Sequence, residues 1–365
     1  MLIYLSLILL IFFQSFPSLL NATKWNKSLT IIFFIELSII LCFKSYTVGP
    51  DSISYYGMFS YIINNPIYTI NLEKGFVLFN KFLGCISNEP QVIFIATGLI
   101  ISYSICQLIY KKSTIIWLSI IIYLTIGLFS FNLSGLRQSI AISICIFSYS
   151  FILQRNFVLF LLIVLFASSF HHSAISFLIA YPLYNLKIDR KTLIISAFIA
   201  LFVLVFSKYF INSILQLFPS YQDYLDTESR FGRNIIGGDV RVASIFKTGI
   251  NFAVFSFSLL LWNKIKDIKN TCYSIYMEMK LLILFSLVAT IIMFSSINAT
   301  VFERVAMYFN AFYIILIPKI ISYIEDKNIK ILSIIFVVSF CLLYAIIVSI
   351  YRPEWNSFLD YSFFW

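Results

Sequence analysis

The sequence predicts an all-α, polytopic integral membrane protein of about twelve transmembrane helices (ten to fourteen). Three observations carry that class. Of the 365 residues, 61% are hydrophobic and mean hydropathy is +0.94, a balance no soluble domain tolerates. The apolar stretches run close to the ~20 residues a bilayer core requires. They also lack the period-2 alternation of a membrane barrel. The net charge of +10 is dispersed between apolar spans, so it reads as membrane orientation and excludes a nucleic-acid partner.

Along the chain the predicted spans are 2–20, 28–45, 91–110, 113–131, 135–153, 156–170, 173–186, 191–212, 244–262, 281–298, 304–322 and 331–350. The first stretch has no charged n-region and no cleavage site, so it reads as a span and not a signal peptide. The pair 156–170 and 173–186 is short on both sides. One span through 156–176 followed by a re-entrant piece is the alternative there.

Orientation follows from the loops. Alternate short loops carry Lys24/Lys27, Lys111/Lys112, Arg155, Lys187/Arg190/Lys191, Lys264/Lys266/Lys269/Lys280 and Lys319/Lys327/Lys330. This side holds 15 basic and 5 acidic residues, against 11 basic and 10 acidic opposite. The positive-inside bias then places both termini outside. No inside loop exceeds about 18 residues, too few for a nucleotide-binding domain.

The outside face carries two long loops, roughly 46–90 and 213–243, and the whole chain reads as a single transmembrane domain. The first loop contains DSISYYGMFSYII, with Tyr55, Phe59 and Ile62 at helical spacing, a pattern suited to the interface plane. The second is polar and aromatic, with a Gly-Gly pair at 237–238. There is no internal repeat. The six cysteines show neither a CxxC pair nor metal spacing, so neither a metal nor a cofactor is expected.

With this topology the polar groups crowd one face. Arg137 and Gln138 close onto the outer end of the fifth span. The only two histidines, His171 and His172, fall at the outer end of another. Glu303 and Arg304 open the eleventh. Asp51, Glu73 and Lys74 lie in the first outside loop, and Arg230, Arg233 and Arg241 in the second. Each has a structural reading: a snorkelling arginine, a histidine at a helix junction, a lipid-phosphate contact, a carboxylate at a helix N-terminus. Glu36, at mid-span, faces protein or marks a transport pathway. Together, arginines beside carboxylates and a histidine suit a phosphate-bearing, lipid-linked substrate, because the guanidinium fork matches phosphate oxygens. Soluble-enzyme motifs such as a P-loop, GxSxG or HExxH are missing.

The stretch from Gly135 to Leu183 resembles the central signature of the EpsG-type, Wzy-like polysaccharide polymerases. A GLRQ-x-x-A helix start is matched by Gly135, Leu136, Arg137, Gln138 and Ala141. After a basic turn at Arg155, A-x-x-F-H-x-S-A is matched by Ala167, Phe170, His171, Ser173 and Ala174. Upstream, Val48, Gly49, Asp51 and Tyr55 resemble the family's VG-x-D-x-x-x-Y loop, with Lys44 where an arginine is usual, which weakens a bidentate role there. Glu73, Gly75 and Phe76 resemble its E-x-G-F piece, and Arg304, Tyr308 and Pro318 its R-x-x-x-Y…P helix.

The resemblance implies a membrane glycosyltransferase that joins polyprenyl-pyrophosphate-linked oligosaccharide repeat units, for O-antigen, capsule or exopolysaccharide. It would work at the outer face of the bacterial cytoplasmic (inner) membrane. Implied partners are the lipid-linked oligosaccharide, membrane lipid, a flippase and a chain-length regulator. Arg137 is the expected pyrophosphate clamp. His171 is favoured as general base, with unperturbed histidine near ~6.5, and Asp51 and Glu73 are the carboxylate alternatives. Arg304, Arg230, Arg233, Arg241, Gln138, Tyr55 and Tyr308 form the expected pyrophosphate- or sugar-binding set. A flippase, a glycan ligase and a membrane acyltransferase are the competing classes; a transporter would show polar residues in both membrane halves and repeat symmetry.

Overall fold

The computed structural model describes residues 10–11, 13–15, 22–67, 70–216, 242–351 and 361–365. It is 81% helix, with no strand among the described residues. Among the described residues seven helices are long and apolar enough to cross a membrane, or nine if each of two bent pairs is one span. The chain is therefore a multi-pass helical membrane protein.

In chain order the helices are α1 Ala22–Cys42, α2 Ser52–Asn64, α3 Lys74–Gly84, α4 Gln91–Lys112, α5 Ile116–Thr125, α6 Leu128–Ser134, α7 Leu136–Leu153 and α8 Phe157–Ser168. A 3-10 helix His172–Ile179 then leads into α9 Ala180–Leu183. After it come α10 Arg190–Gln216, α11 Val242–Leu260, α12 Trp262–Asp267, α13 Tyr273–Ser296, α14 Val301–Asn310, α15 Tyr313–Ser322 and α16 Lys327–Tyr351.

Where twelve spans were expected, the described residues hold seven to nine helices or bent pairs long and apolar enough to cross. Helix α8 and the segment His172–Leu183 are apolar but short. Twelve residues of α-helix rise about 18 Å, well under a ~30 Å hydrocarbon core. The expected first span lies almost wholly outside the described residues. Two other spans are broken: α5 and α6 meet at 55°, α14 and α15 at 47°.

A broken helix leaves backbone groups that lipid cannot satisfy, so protein must. Pro318 stands inside α15 and lacks the N–H that the carbonyl four residues earlier would accept from. That carbonyl, on Ile314, instead accepts from the Ser119 hydroxyl of α5 at 2.7 Å.

The chain divides into two compact units. The first comprises Met1–Tyr149, Leu162–His172 and Ile314–Trp365; the second comprises Ser150–Leu161 and Ser173–Tyr313. In the first unit α1 packs along α4, α16 along α5, and α2 and α3 pack on each other and on α4. The first long loop of the sequence reading is therefore folded. Tyr55, Phe59 and Ile62, the stripe expected to lie in the interface plane, are buried within the protein. Also in this unit, residues 361–365 lie against 43–45. The Ser45 amide donates to the Ser362 carbonyl at 2.8 Å and the Phe364 amide to the Phe43 carbonyl at 3.1 Å.

In the second unit α13 is the central helix, buried along most of its length and packed by α10, α11 and α14. Phe177 of the 3-10 helix stacks among Phe285, Phe309 and Phe312, with centroids 5.4–5.9 Å apart. The loop 213–243 lies largely outside the described residues.

Gly75, in the first turn of α3, is required by close approach. Its amide donates to the Ser169 carbonyl at 2.9 Å, and an added Cβ would overlap Ser169. Gly57, mid-way along α2, meets nothing within 4 Å. Gly75→Ala is expected to destabilise the purified protein by about 1–3 kcal/mol through overpacking. Gly57→Ala is expected to stabilise it by roughly 0.5–1 kcal/mol through reduced unfolded-state freedom. Paired melting curves in detergent check both signs.

Candidate functional site

Three of the sequence patches converge on one carboxylate in the first unit. Glu73 immediately precedes α3, Arg137 is the second residue of α7, and His171 follows the end of α8. Arg137 Nη1 donates to Glu73 Oε2 at 2.5 Å. His171 Nδ1 lies 3.2 Å from Glu73 Oε1. The Glu73 side chain is 1% exposed, His171 7% and Arg137 22%, so only the arginine retains appreciable access to the outside of the protein.

Local sequence explains how each group is held. The turn 168–171 is pinned to α3 by the Gly75–Ser169 bond and by Phe170, which packs edge-on against Phe79 at 5.8 Å. That sets His171 over Glu73. Arg137 sits in the first turn of α7, at the positive end of the helix dipole, where a cation is disfavoured. Glu73 offsets that penalty. The Tyr55 hydroxyl lies close enough to interact with the guanidinium, which is 6.0 Å from the centre of the Phe76 ring. Tyr55 and Phe76 meet edge to face at 5.9 Å. Arg137 Nε has no hydrogen-bond partner among the described residues.

Electrostatics separates the roles open to these groups. Burial pushes the Glu73 carboxyl up, but the His171 hydrogen bond and the Arg137 charge outweigh it and hold the group at about 2. A carboxylate held that low is a poor proton acceptor near neutrality and a good fixed anion. Carboxylate oxygens only accept hydrogen bonds, so Nδ1 of His171 carries the proton and Nε2 is the acceptor nitrogen of the neutral ring. Burial lifts the Tyr55 hydroxyl above its ordinary range, so it remains a phenol.

The remaining expected residues are distributed as follows. Asp51, at the start of α2, is half-buried, and its amide donates to the Ser134 hydroxyl at 3.3 Å. Gln138, next to Arg137, is buried. Tyr308 and Arg304 are on α14 in the second unit. The Tyr308 and Ser173 hydroxyls are hydrogen-bonded at 3.1 Å, joining the Arg304/Tyr308 patch to the serine of the histidine patch. Arg304 is half-buried there. Arg230, Arg233 and Arg241 lie outside the described residues.

Glu303 accepts from Lys247 at 2.6 Å and from Ser244 at 2.7 Å, so the carboxylate holds α11 to α14. Lys247 was not singled out from sequence, although a lysine within an apolar span is itself a signal of a polar partner. Glu36 of α1 accepts a hydrogen bond from the Gln14 amide. Phe76 is the other contributor the sequence reading did not weigh: it matched a motif, but only the fold sets its ring beside the guanidinium.

A profile of the EpsG family matches residues 27–363, nearly the whole chain. No curated protein and no solved structure matches it.

Because the folded-state pKa of Glu73 is depressed, its stabilisation is complete above the ordinary carboxylate range, ~4.3. It is lost as pH falls toward about 2. Glu73→Gln is expected to cost about 2 kcal/mol near neutrality, since it leaves Arg137 without its counter-charge. The difference in melting temperature between wild type and Glu73→Gln is expected to shrink as pH is lowered through that window. A difference independent of pH would show that the carboxylate is not the stabilising group.

Proposed function

The chain belongs to the EpsG family, a Wzy-like polymerase-type family, and from that premise we propose that it polymerises polyprenyl-pyrophosphate-linked oligosaccharide repeat units. The reaction runs on the outer face of the bacterial cytoplasmic membrane, the side on which the positive-inside reading of the sequence expects the 46–90 segment. The observation that carries this reading is the single buried carboxylate shared by Arg137 and His171.

The chemistry requires a glycosidic bond to form between an acceptor hydroxyl and the anomeric carbon of the growing chain. The bond from that carbon to the pyrophosphate oxygen breaks, and the electron pair leaves with the polyprenyl pyrophosphate. The hydroxyl proton must go to a base. In this proposal Nε2 of His171 takes that proton, and Glu73 holds the ring in the tautomer that leaves Nε2 as its basic nitrogen. The imidazolium so formed faces a carboxylate that is already ionised, as in other oriented-histidine systems.

Arg137 meets the charge growing on the leaving oxygen. Glu73 holds its fork in advance, so little reorganisation is needed at the moment of bond breaking. The first turn of α7 adds the positive end of a helix dipole to the same place. A lysine would supply charge without the planar fork.

The test is chain extension by purified protein with a defined polyprenyl-pyrophosphate repeat unit. Wild type is expected to give a ladder of lengthening products. Arg137→Lys is expected to slow it about 10²–10³-fold, and full yield and length from that variant would remove the clamp. Normal turnover by His171→Gln would remove the base. In a deletion strain, loss of the ladder with single units retained indicates a polymerase. Loss of all attached glycan indicates a ligase or flippase instead.

A further inference from the structure

Lys44 lies in the turn after α1, and its side chain is among the largest fully buried ones, at 1% exposure. Its amine donates to the Val48 carbonyl at 3.1 Å, to the Ser52 hydroxyl at 2.5 Å and to the Leu133 carbonyl. It also lies 4.4 Å from the centre of the Phe94 ring. An ammonium has three protons, and here all three have acceptors. No edge of the group is left for a substrate.

The acceptors are informative. Leu133 is in the last turn of α6, where carbonyls lose their intrahelical partners, and it lies four residues before Arg137. Ser52 begins α2, the helix that carries Tyr55. The Ser52 hydroxyl also donates to the Val48 carbonyl at 2.6 Å, and the Asp51 amide reaches the Ser134 hydroxyl. Gly49 has φ +93°, and a Cβ there would sit 3.0 Å from the Leu133 carbonyl oxygen. So residues 44–52 are stitched to the elbow between α6 and α7 by side-chain–backbone hydrogen bonds. Burial lowers the Lys44 amine to about 7, against the nearby Asp51 charge, which raises it.

We infer that Lys44 is a positioning residue for Arg137. Its buried amine ties the elbow that presents the guanidinium to the start of the helix that presents Tyr55, and so sets Arg137 and Tyr55 in register. The inference rests on the proposed role of Arg137 only for its catalytic consequence; the positional claim stands apart from it.

Two measurements separate these. First, purified wild type, Lys44→Gln and Lys280→Gln are treated with phenylglyoxal, and the peptide containing Arg137 is quantified by mass spectrometry. Lys280 is a comparison because it too is a buried amine on a backbone carbonyl, that of Tyr184, in the second unit. Lys44→Gln is expected to label Arg137 several-fold faster, with Arg155 labelling unchanged in the same sample and Lys280→Gln like wild type. Equal Arg137 labelling in Lys44→Gln and wild type overturns the inference.

Second, in chain extension, Lys44→Gln is expected to lower kcat about 10- to 100-fold while KM changes little, as for a displaced catalytic group. An unchanged kcat overturns the catalytic consequence, while the labelling decides the positional claim. If wild type extends no chain, the polymerase reading fails while the labelling result still decides the positional one. Should Lys44→Gln not yield folded protein, Ser52→Ala removes one acceptor and is expected to shift both readouts in the same direction by less; no shift in either overturns the inference.

Discussion

The Glu73 carboxylate is the constraint on which the rest of the first unit's geometry depends. It is almost wholly removed from solvent, yet ionised, and an ionised group in that position persists only if its partners are fixed around it. Arg137 takes one oxygen and His171 approaches the other. Each partner is in turn held by an apolar contact: Phe76 and Tyr55 wall the guanidinium, and Phe170 packs the histidine turn against α3. Removing the carboxylate would leave a cation at the positive end of a helix with nothing to offset it. The charge arrangement and the packing therefore specify each other.

The same economy of polar groups recurs away from the site. In hydrocarbon a freed carbonyl has no water to turn to, and the chain answers each case with a side chain. Ser119 serves the carbonyl released by Pro318, and Thr248 serves that of Met293. In the second unit the Tyr313 hydroxyl donates to Asn251, and Lys247 and Ser244 hold Glu303. Lys44 is the most exacting instance, because one amine answers three acceptors from two segments of chain.

The matched patches differ in how much they revealed alone. The GLRQ and FHHSA stretches marked Arg137 and His171 as residues of interest, and EKGF marked Glu73. Nothing in them indicated that Glu73 bridges the other two, since the bonds join positions 64 and 98 apart and sequence spacing carries no contact information at that range. Lys44 was read as a weakened counterpart of an arginine; burial turns it inward, onto backbone. The stripe Tyr55, Phe59, Ile62 was legible as a helix face, but a helical period does not distinguish a face buried in protein from one laid on lipid headgroups.

What the sequence determined by itself was the class of the protein: long apolar stretches and breaks at charged loops make helices the only spanning solution, because backbone groups in lipid must be satisfied within the segment. Helix existence followed for Gln91–Lys112, Leu136–Leu153, Tyr273–Ser296 and Lys327–Tyr351. The tertiary structure alone decided which apolar stretches fall short of a span, where two of them bend, and which carboxylate meets which cation. Those outcomes depend on packing between segments far apart in the chain, and an ion pair exists only where folding has brought both charges out of water together.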